Sequence, residues 1–181
     1  MRDGDGWVTC GAGHQHWGLF GAAGLLLAAA DPAGVVRVLL QHRAAWSHHG
    51  DTWGIPGGAR GQAETGEQAA LREAVEETGL DPRAVTVGGS SDEGHGGWSY
   101  TTVLATAPTL LTVHAEDRES TAVAWVPLSE VAGLPLHPGF AGAWPALRPQ
   151  IASLASLAAA VGGGREAVRP PPPAVGAPKI A

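Results

Sequence analysis

Three carboxylates, Glu73, Glu76 and Glu77, fall within little more than one helical turn, and Arg72 stands next to them. Residues three and four apart share a helix face, so in a helix these four side chains crowd one arc. Like charges at that spacing cost an isolated helix roughly 0.2–0.5 kcal/mol per pair, and something of opposite sign is expected to offset them. One reading is a solvated acidic face, the usual state of a glutamate-rich helix. The other is a hard divalent cation, which takes oxygen ligands from carboxylates and backbone carbonyls. The cation is favoured by the preceding stretch, Trp53-Gly54-Ile55-Pro56-Gly57-Gly58, a rigid turn whose carbonyls could face the same ion.

The helix that must carry these groups is marked at both ends. Thr65 followed by Gln68 is a capping box, and Ala69 to Glu73 are good helix formers. Gly79 and Pro82 stop it. Opposite the acidic arc lie Ala70, Leu71, Ala74 and Val75, a face suited to docking on a sheet.

With these residues in place, the run from Gly58 to Leu80 resembles the Nudix box: Gly58, five residues, Glu64, seven residues, then Arg72, Glu73, Glu76, Glu77, Gly79 and Leu80. Ala74 is small for its hydrophobic slot. So many fixed positions are far more specific than a lone glycine-rich loop. The resemblance implies a MutT-like pyrophosphohydrolase that cleaves a nucleoside diphosphate linked to a further group, on an α/β fold, the α/β/α sandwich with a mixed central sheet. It implies Mg²⁺, with Mn²⁺ as a substitute, held by Glu73, Glu76, Glu77 and a backbone oxygen at Gly57 or Gly58. Arg72 and Glu64 are expected to orient the cluster as an arginine–carboxylate pair. Family members bring another carboxylate from a later loop, here Glu116-Asp117-Arg118-Glu119-Ser120, and Glu119 is preferred over Glu116. The competing readings are a nucleotide-sensing module of the same fold, and a metal-binding or scaffold protein whose helix only looks catalytic. The full set of carboxylates argues against the sensor.

The 181 residues suit one domain, expected over 1–161, with a Gly/Pro-rich tail over 162–181. A net charge of −6 with scattered Lys and Arg leaves no basic stripe, so polymeric nucleic acid is not an expected partner and a small nucleotide is. A single cysteine, Cys10, cannot form an internal disulfide. Without a signal-peptide pattern or an apolar run long enough for a bilayer, the expected location is cytoplasmic, with no membrane role. The sequence leaves the oligomeric state open, a homodimer included. Cys10, His14 and His16 lack a second cysteine pair, so residues 1–17 are expected to be a surface arm with ordinary histidines.

Strands are expected over 18–30 and 35–41, around the turn Asp31-Pro32-Ala33-Gly34, and over 84–88, 99–106, 110–115 and 121–126. The glycine- and acid-rich stretch 88–97 reads as a mobile loop. Phe140, Trp144, Leu147, Ile151, Leu154 and Leu157 are spaced as a helix face interrupted near Pro145 and Pro149. Basic and aromatic residues outside the box are candidates for substrate binding: Arg37 and Arg43 for phosphates, and Trp46, Trp53 and Trp98 for stacking on a base. The proline expected after the box in ADP-ribose members is replaced by His95 and Gly96. The tyrosine of dinucleoside polyphosphate members is replaced by Gly97 and Trp98. The favoured substrate is therefore a nucleoside triphosphate, an oxidised purine one such as 8-oxo-dGTP included, released as monophosphate and pyrophosphate. ADP-ribose or a nucleotide sugar is the alternative.

Overall fold

The computed structural model describes residues 2–116 and 119–162. Within them the chain forms β1 (Trp7–Thr9), β2 (Gln15–Trp17), β3 (Ala22–Ala30), β4 (Val36–Arg43), β5 (Trp53–Gly54), β6 (Gly57–Ala59), α1 (Gly66–Thr78), β7 (Thr86–Gly94), β8 (Ser99–Thr106), β9 (Ser120–Pro127) and α2 (Pro138–Gly162). No polar side chain interrupts β3, which explains its place at the centre of the sheet with both faces covered. It runs parallel to β8 on one side. On the other it pairs antiparallel with β4 through Ala28–Ala30 and with β6 through Ala22–Gly24. β5 and β9 flank β4, and β7 closes the far edge against β8.

Alternation along the strands divides the core into two layers. Leu25 and Leu27 of β3, with Leu39 and Val103, pack against Ala69, Ala70 and Ala74 of α1. Leu26 and Ala28, with Val38, Leu40 and Leu104, pack against Phe140, Trp144, Leu147 and Ile151 of α2. The mixed sheet is thus sandwiched between two helices. Small alanines on α1 bring its backbone close to β3, and with it the charged arc toward β6.

Four expectations are corrected. The N-terminal arm is a β1–β2 hairpin with Val8 opposite His16. The presumed loop over 88–97 is strand as far as Gly94, because its backbone continues the ladder to β8 past a bulge at Gly88; the polar side chains simply mark an edge strand. Residues 110–115 make no strand. Their N–H groups instead satisfy carbonyls at the end of α1, His114 N–H donating to Thr78 O (3.1 Å), followed by Glu116 N–H to Glu77 O (3.0 Å). Finally, α2 runs unbroken through Pro145 and Pro149, which lie on its exposed face where water can reach the carbonyls they free; Leu157 is exposed too. The expected tail begins at Gly162, which ends α2; residues 163–181 lie outside the described residues.

Candidate active site

Thr65 caps α1 as the sequence predicts: its side chain accepts from Gln68 N–H while the Gln68 side chain accepts from Thr65 N–H, and Gly79 ends the helix in the left-handed conformation (φ 65°). The helix lies beside β6, whose glycines admit it. A Cβ at Gly58 would fall 2.6 Å from the Glu73 carboxyl carbon, so only glycine lets this carboxylate rest on the turn. One residue earlier, Gly57 N–H donates to Glu77 Oε2 at 2.8 Å. Glu77, facing inward on the same helix, is buried.

Arg72 is the brace. Its guanidinium holds Glu64 in a two-pronged contact, Nε to Oε1 at 2.7 Å and Nη2 to Oε2 at 2.8 Å, and also donates to Ala59 O at 3.0 Å. Its Nη1 reaches Glu73 at 2.5 Å, with Glu76 at 3.5 Å. Gly61 N–H supports Glu64 from the other side. The hydrogen bond from Arg72 holds Glu64 at a pKa of about 2. For Glu73 the balance is opposite: burial pushes its pKa up, Arg72 pulls against that, and Glu76 adds to the rise. A carboxylate whose burial outweighs its guanidinium partner is a site where further positive charge is favourable.

Arg2, which the sequence reading did not single out, pairs with Glu76. Glu64, Glu73 and Glu76 thus contact two guanidiniums, and Glu77 accepts from the glycine turn. The donor set is oxygen throughout, and Gly58 lies against the Glu73 carboxylate. These residues fit a hard divalent cation.

Glu119 and Glu116 are placed differently. Glu119 O accepts from Ala44 N–H (2.7 Å), which fixes its backbone at the end of β4 next to Arg43, and its side chain is exposed. The Glu116 carboxylate contacts His114 at 2.5 Å and lies against Gly79 at the end of α1. Asp117 and Arg118, between them, fall outside the described residues.

The substrate candidates separate. Arg43 stands at the cleft end of β4 and donates to His48 O at 3.1 Å. Trp53 lies next to the glycine turn, edge-on to His42 at 5.1 Å, with its backbone tied to Pro135 and His137. Trp46 is 69% exposed on the 44–52 loop. Trp98 faces elsewhere: it stacks on His16 at 4.2 Å and donates to Gly18 O. Arg37 is contrary to expectation. It opposes Ala29 whereas Gly58 opposes Ala23, six residues or about 20 Å along β3, and it is paired with Asp31.

Two neighbours of the cleft carried no sequence signal. The Tyr100 hydroxyl sits beneath the glycine turn, where a Cβ on Gly24 would meet it at 2.2 Å; burial and the charge of Glu77 push its pKa up. His137 meets His49 edge-on at 4.8 Å, and burial, then Arg43 and the histidines His49 and His48, lower it to about 4. His49 (φ 54°) and Asp51 (φ 56°) adopt the left-handed region within the 44–52 loop, which His and Asp tolerate better than most side chains.

Comparison with known proteins bears on the whole arrangement. The model of the NUDIX domain matches residues 20–148. A Mycobacterium tuberculosis protein named "Putative 8-oxo-dGTP diphosphatase 3" is 52% identical over 154 residues, covering 81% of this chain and 70% of that protein. A Bifidobacterium longum nucleoside triphosphate pyrophosphatase/Nudix hydrolase fusion protein is 45% identical over 159 residues, 86% of this chain and 33% of its own length. Among solved structures, a Nudix hydrolase from M. smegmatis, RenU, superposes with a TM-score of 0.77 at 49% identity, over 83% of this chain and 97% of RenU. Among the described residues no helix is long and apolar enough to cross a membrane.

Proposed function

The chain belongs to the Nudix family of hydrolases, and from that premise we propose that it hydrolyses an oxidised purine nucleoside triphosphate, of the 8-oxo-dGTP kind, to the monophosphate and pyrophosphate. Family members use divalent metal cations, and Mg²⁺, with Mn²⁺ as a substitute, is the proposed one here. The observation that carries the hydrolase reading is the two-pronged Arg72–Glu64 clamp, which fixes the helix face bearing Glu73, Glu76 and Glu77 against the Gly57-Gly58 turn. The substrate follows from the 52% identical relative and its name.

Glu73, Glu76 and Glu77, with a backbone oxygen at Gly58, would hold the cation, which when bound neutralises the diphosphate and lowers the pKa of water. Everything else falls to the chain. Arg72 keeps Glu73 turned toward Gly58, and Glu64 in turn keeps Arg72 in place. Glu119, at the end of β4, serves as the further carboxylate that accepts the proton from attacking water or adds a ligand. Arg43 supplies positive charge for the phosphates at the cleft, and Trp53 or Trp46 an aromatic face for the base.

The test is a panel of 8-oxo-dGTP, dGTP, other nucleoside triphosphates, ADP-ribose and a nucleotide sugar at one Mg²⁺ concentration, ranked by kcat/KM with products identified. 8-oxo-dGTP is expected to lead and to yield pyrophosphate. A lead for ADP-ribose or the sugar would overturn the substrate assignment.

A further inference from the structure

Away from the glutamates, the hairpin gathers a second group of donors with a different chemistry. Cross-strand partners in a hairpin point to one face. Thr9 opposes Gln15 and Val8 opposes His16, so continuing the register sets Cys10 against His14, with His16 on the same face. Cys10 N–H donates to His14 O and Gly13 N–H to Cys10 O, both at 2.9 Å, and Gly13 closes the turn at φ 83°. The ligand atoms of Cys10, His14 and His16 all lie within 4.8 Å of one another.

The site is walled. The turn joining β7 to β8 is docked on it through Gly11 N–H to Gly96 O at 2.8 Å, an approach so close that a Cβ on Gly96 would stand 3.0 Å from Gly11 N. Trp98 stacks on the His16 ring, and the ring centre of His95 is 4.9 Å from that of His16. Cys10 is 6% exposed. His16 Nε2 is buried and has no hydrogen-bond partner among the described residues. Native proteins rarely carry a buried polar atom in that condition without an ion or water to satisfy it.

We propose that Cys10, His14 and His16 bind one zinc ion, that the neighbouring His95 turns in to complete a tetrahedral set, and that the ion fastens the N-terminal hairpin to the β7–β8 turn. A thiolate with imidazoles suits zinc and binds only weakly the hard cations that carboxylates select. The Cys10 thiol gives its proton to solvent on binding. Sequence spacing gave little sign of this, because the fourth donor lies 79 residues beyond His16 and meets it only through the turn-to-turn docking.

The experiment uses the full chain stripped of metal and then loaded with Co²⁺ or Zn²⁺ in excess Mg²⁺, which occupies the oxygen donors of α1. One equivalent of Zn²⁺ is expected to remain through gel filtration and to raise the melting temperature. Co²⁺ should give a near-ultraviolet sulfur-to-metal charge-transfer band and the intense visible bands of a tetrahedral ion. Cys10→Ser, nearly isosteric, should abolish the charge-transfer band and the Zn²⁺ shift in melting temperature. His16→Ala and His95→Ala should each weaken Zn²⁺ by about tenfold or more. No charge-transfer band in the unmodified chain, or equal Zn²⁺ retention in Cys10→Ser, would overturn the site; unchanged affinity in His95→Ala would overturn the fourth ligand.

Discussion

Glu73 on α1 and His16 on the hairpin both take polar atoms out of water, and the chain treats them in opposite ways. Around Glu73 it supplies Arg72, which is itself steadied by Glu64 and Ala59 O. Around His16 it supplies rings, Trp98 on one face and His95 alongside, and leaves Nε2 without a partner among the described residues. The first region is charged, oxygen-rich and braced within one short segment. The second is neutral, carries nitrogen and sulfur, and is assembled from turns far apart in the chain. A braced anionic surface can release and rebind an ion during turnover, whereas a soft-donor set suits an ion that stays.

That contrast is broken most severely by removing charge from the α1 face. Glu76→Gln or Glu77→Gln is expected to lower kcat by more than about 100-fold, beyond the roughly 10–100-fold typical of groups behind the ligands. The fold should be retained, since volume barely changes, and circular dichroism with steady-state kinetics checks both. Near-normal Mg²⁺-dependent turnover in either variant would remove that residue from the cation site. Next in size, Arg72→Lys should cost about 10–100-fold, because an ammonium cannot reproduce the two-pronged hold on Glu64. If kcat is unaffected, the clamp does not position Glu73.

A smaller effect is expected on stability. Gly58→Ala places a methyl against the Glu73 carboxylate, the end of a flexible side chain that can swing aside, and should destabilise the fold by no more than about 1 kcal/mol, read from urea unfolding. A larger loss would mean that Arg72 holds the carboxylate too firmly to move. The pH dependence has two windows with the same sign. Glu64 is depressed to about 2, so the stability it contributes is present above the ordinary carboxylate pKa and is lost as pH falls from about 4.5 toward 2. His137 is depressed to about 4, so the unfolded chain binds the extra proton and stability falls from about pH 6.5 toward 4. Glu64→Gln should flatten the lower window and His137→Gln the upper one, in melting temperature against pH.

The α1 region was legible because its determinants are local. The capping box, the stop at Gly79 and the carboxylates of the helix lie in one run, and Glu64 is eight residues from the arginine that holds it. The hairpin and β7 were not legible, since their strands are defined by what they pair with. Ser90 to Gly94 have loop composition and become strand only because β8 offers a ladder. Leu110 to Ala115 have strand composition and fail to form one because the end of α1 supplies carbonyls first. Arg37 was misplaced for the same reason: its type suits phosphate, but the β3–β4 register sends it to the far end of the sheet. Least effect of all is expected from truncation after Val161. Leu157 and Val161 on the last turns are 65% and 80% exposed, so melting temperature and turnover should be unchanged. A marked fall in either would show that the segment beyond docks on the domain.

The glutamate face of α1 is proposed to work through a divalent cation. The decisive measurement is 8-oxo-dGTP turnover by the full chain across a Mg²⁺ titration, begun in excess chelator and repeated for Glu77→Gln. The predicted result is no turnover in chelator, saturable recovery with Mg²⁺ in the unmodified chain, and no recovery to that level in the variant. Turnover that persists in chelator, or a Glu77→Gln titration that overlays the unmodified one, would contradict it.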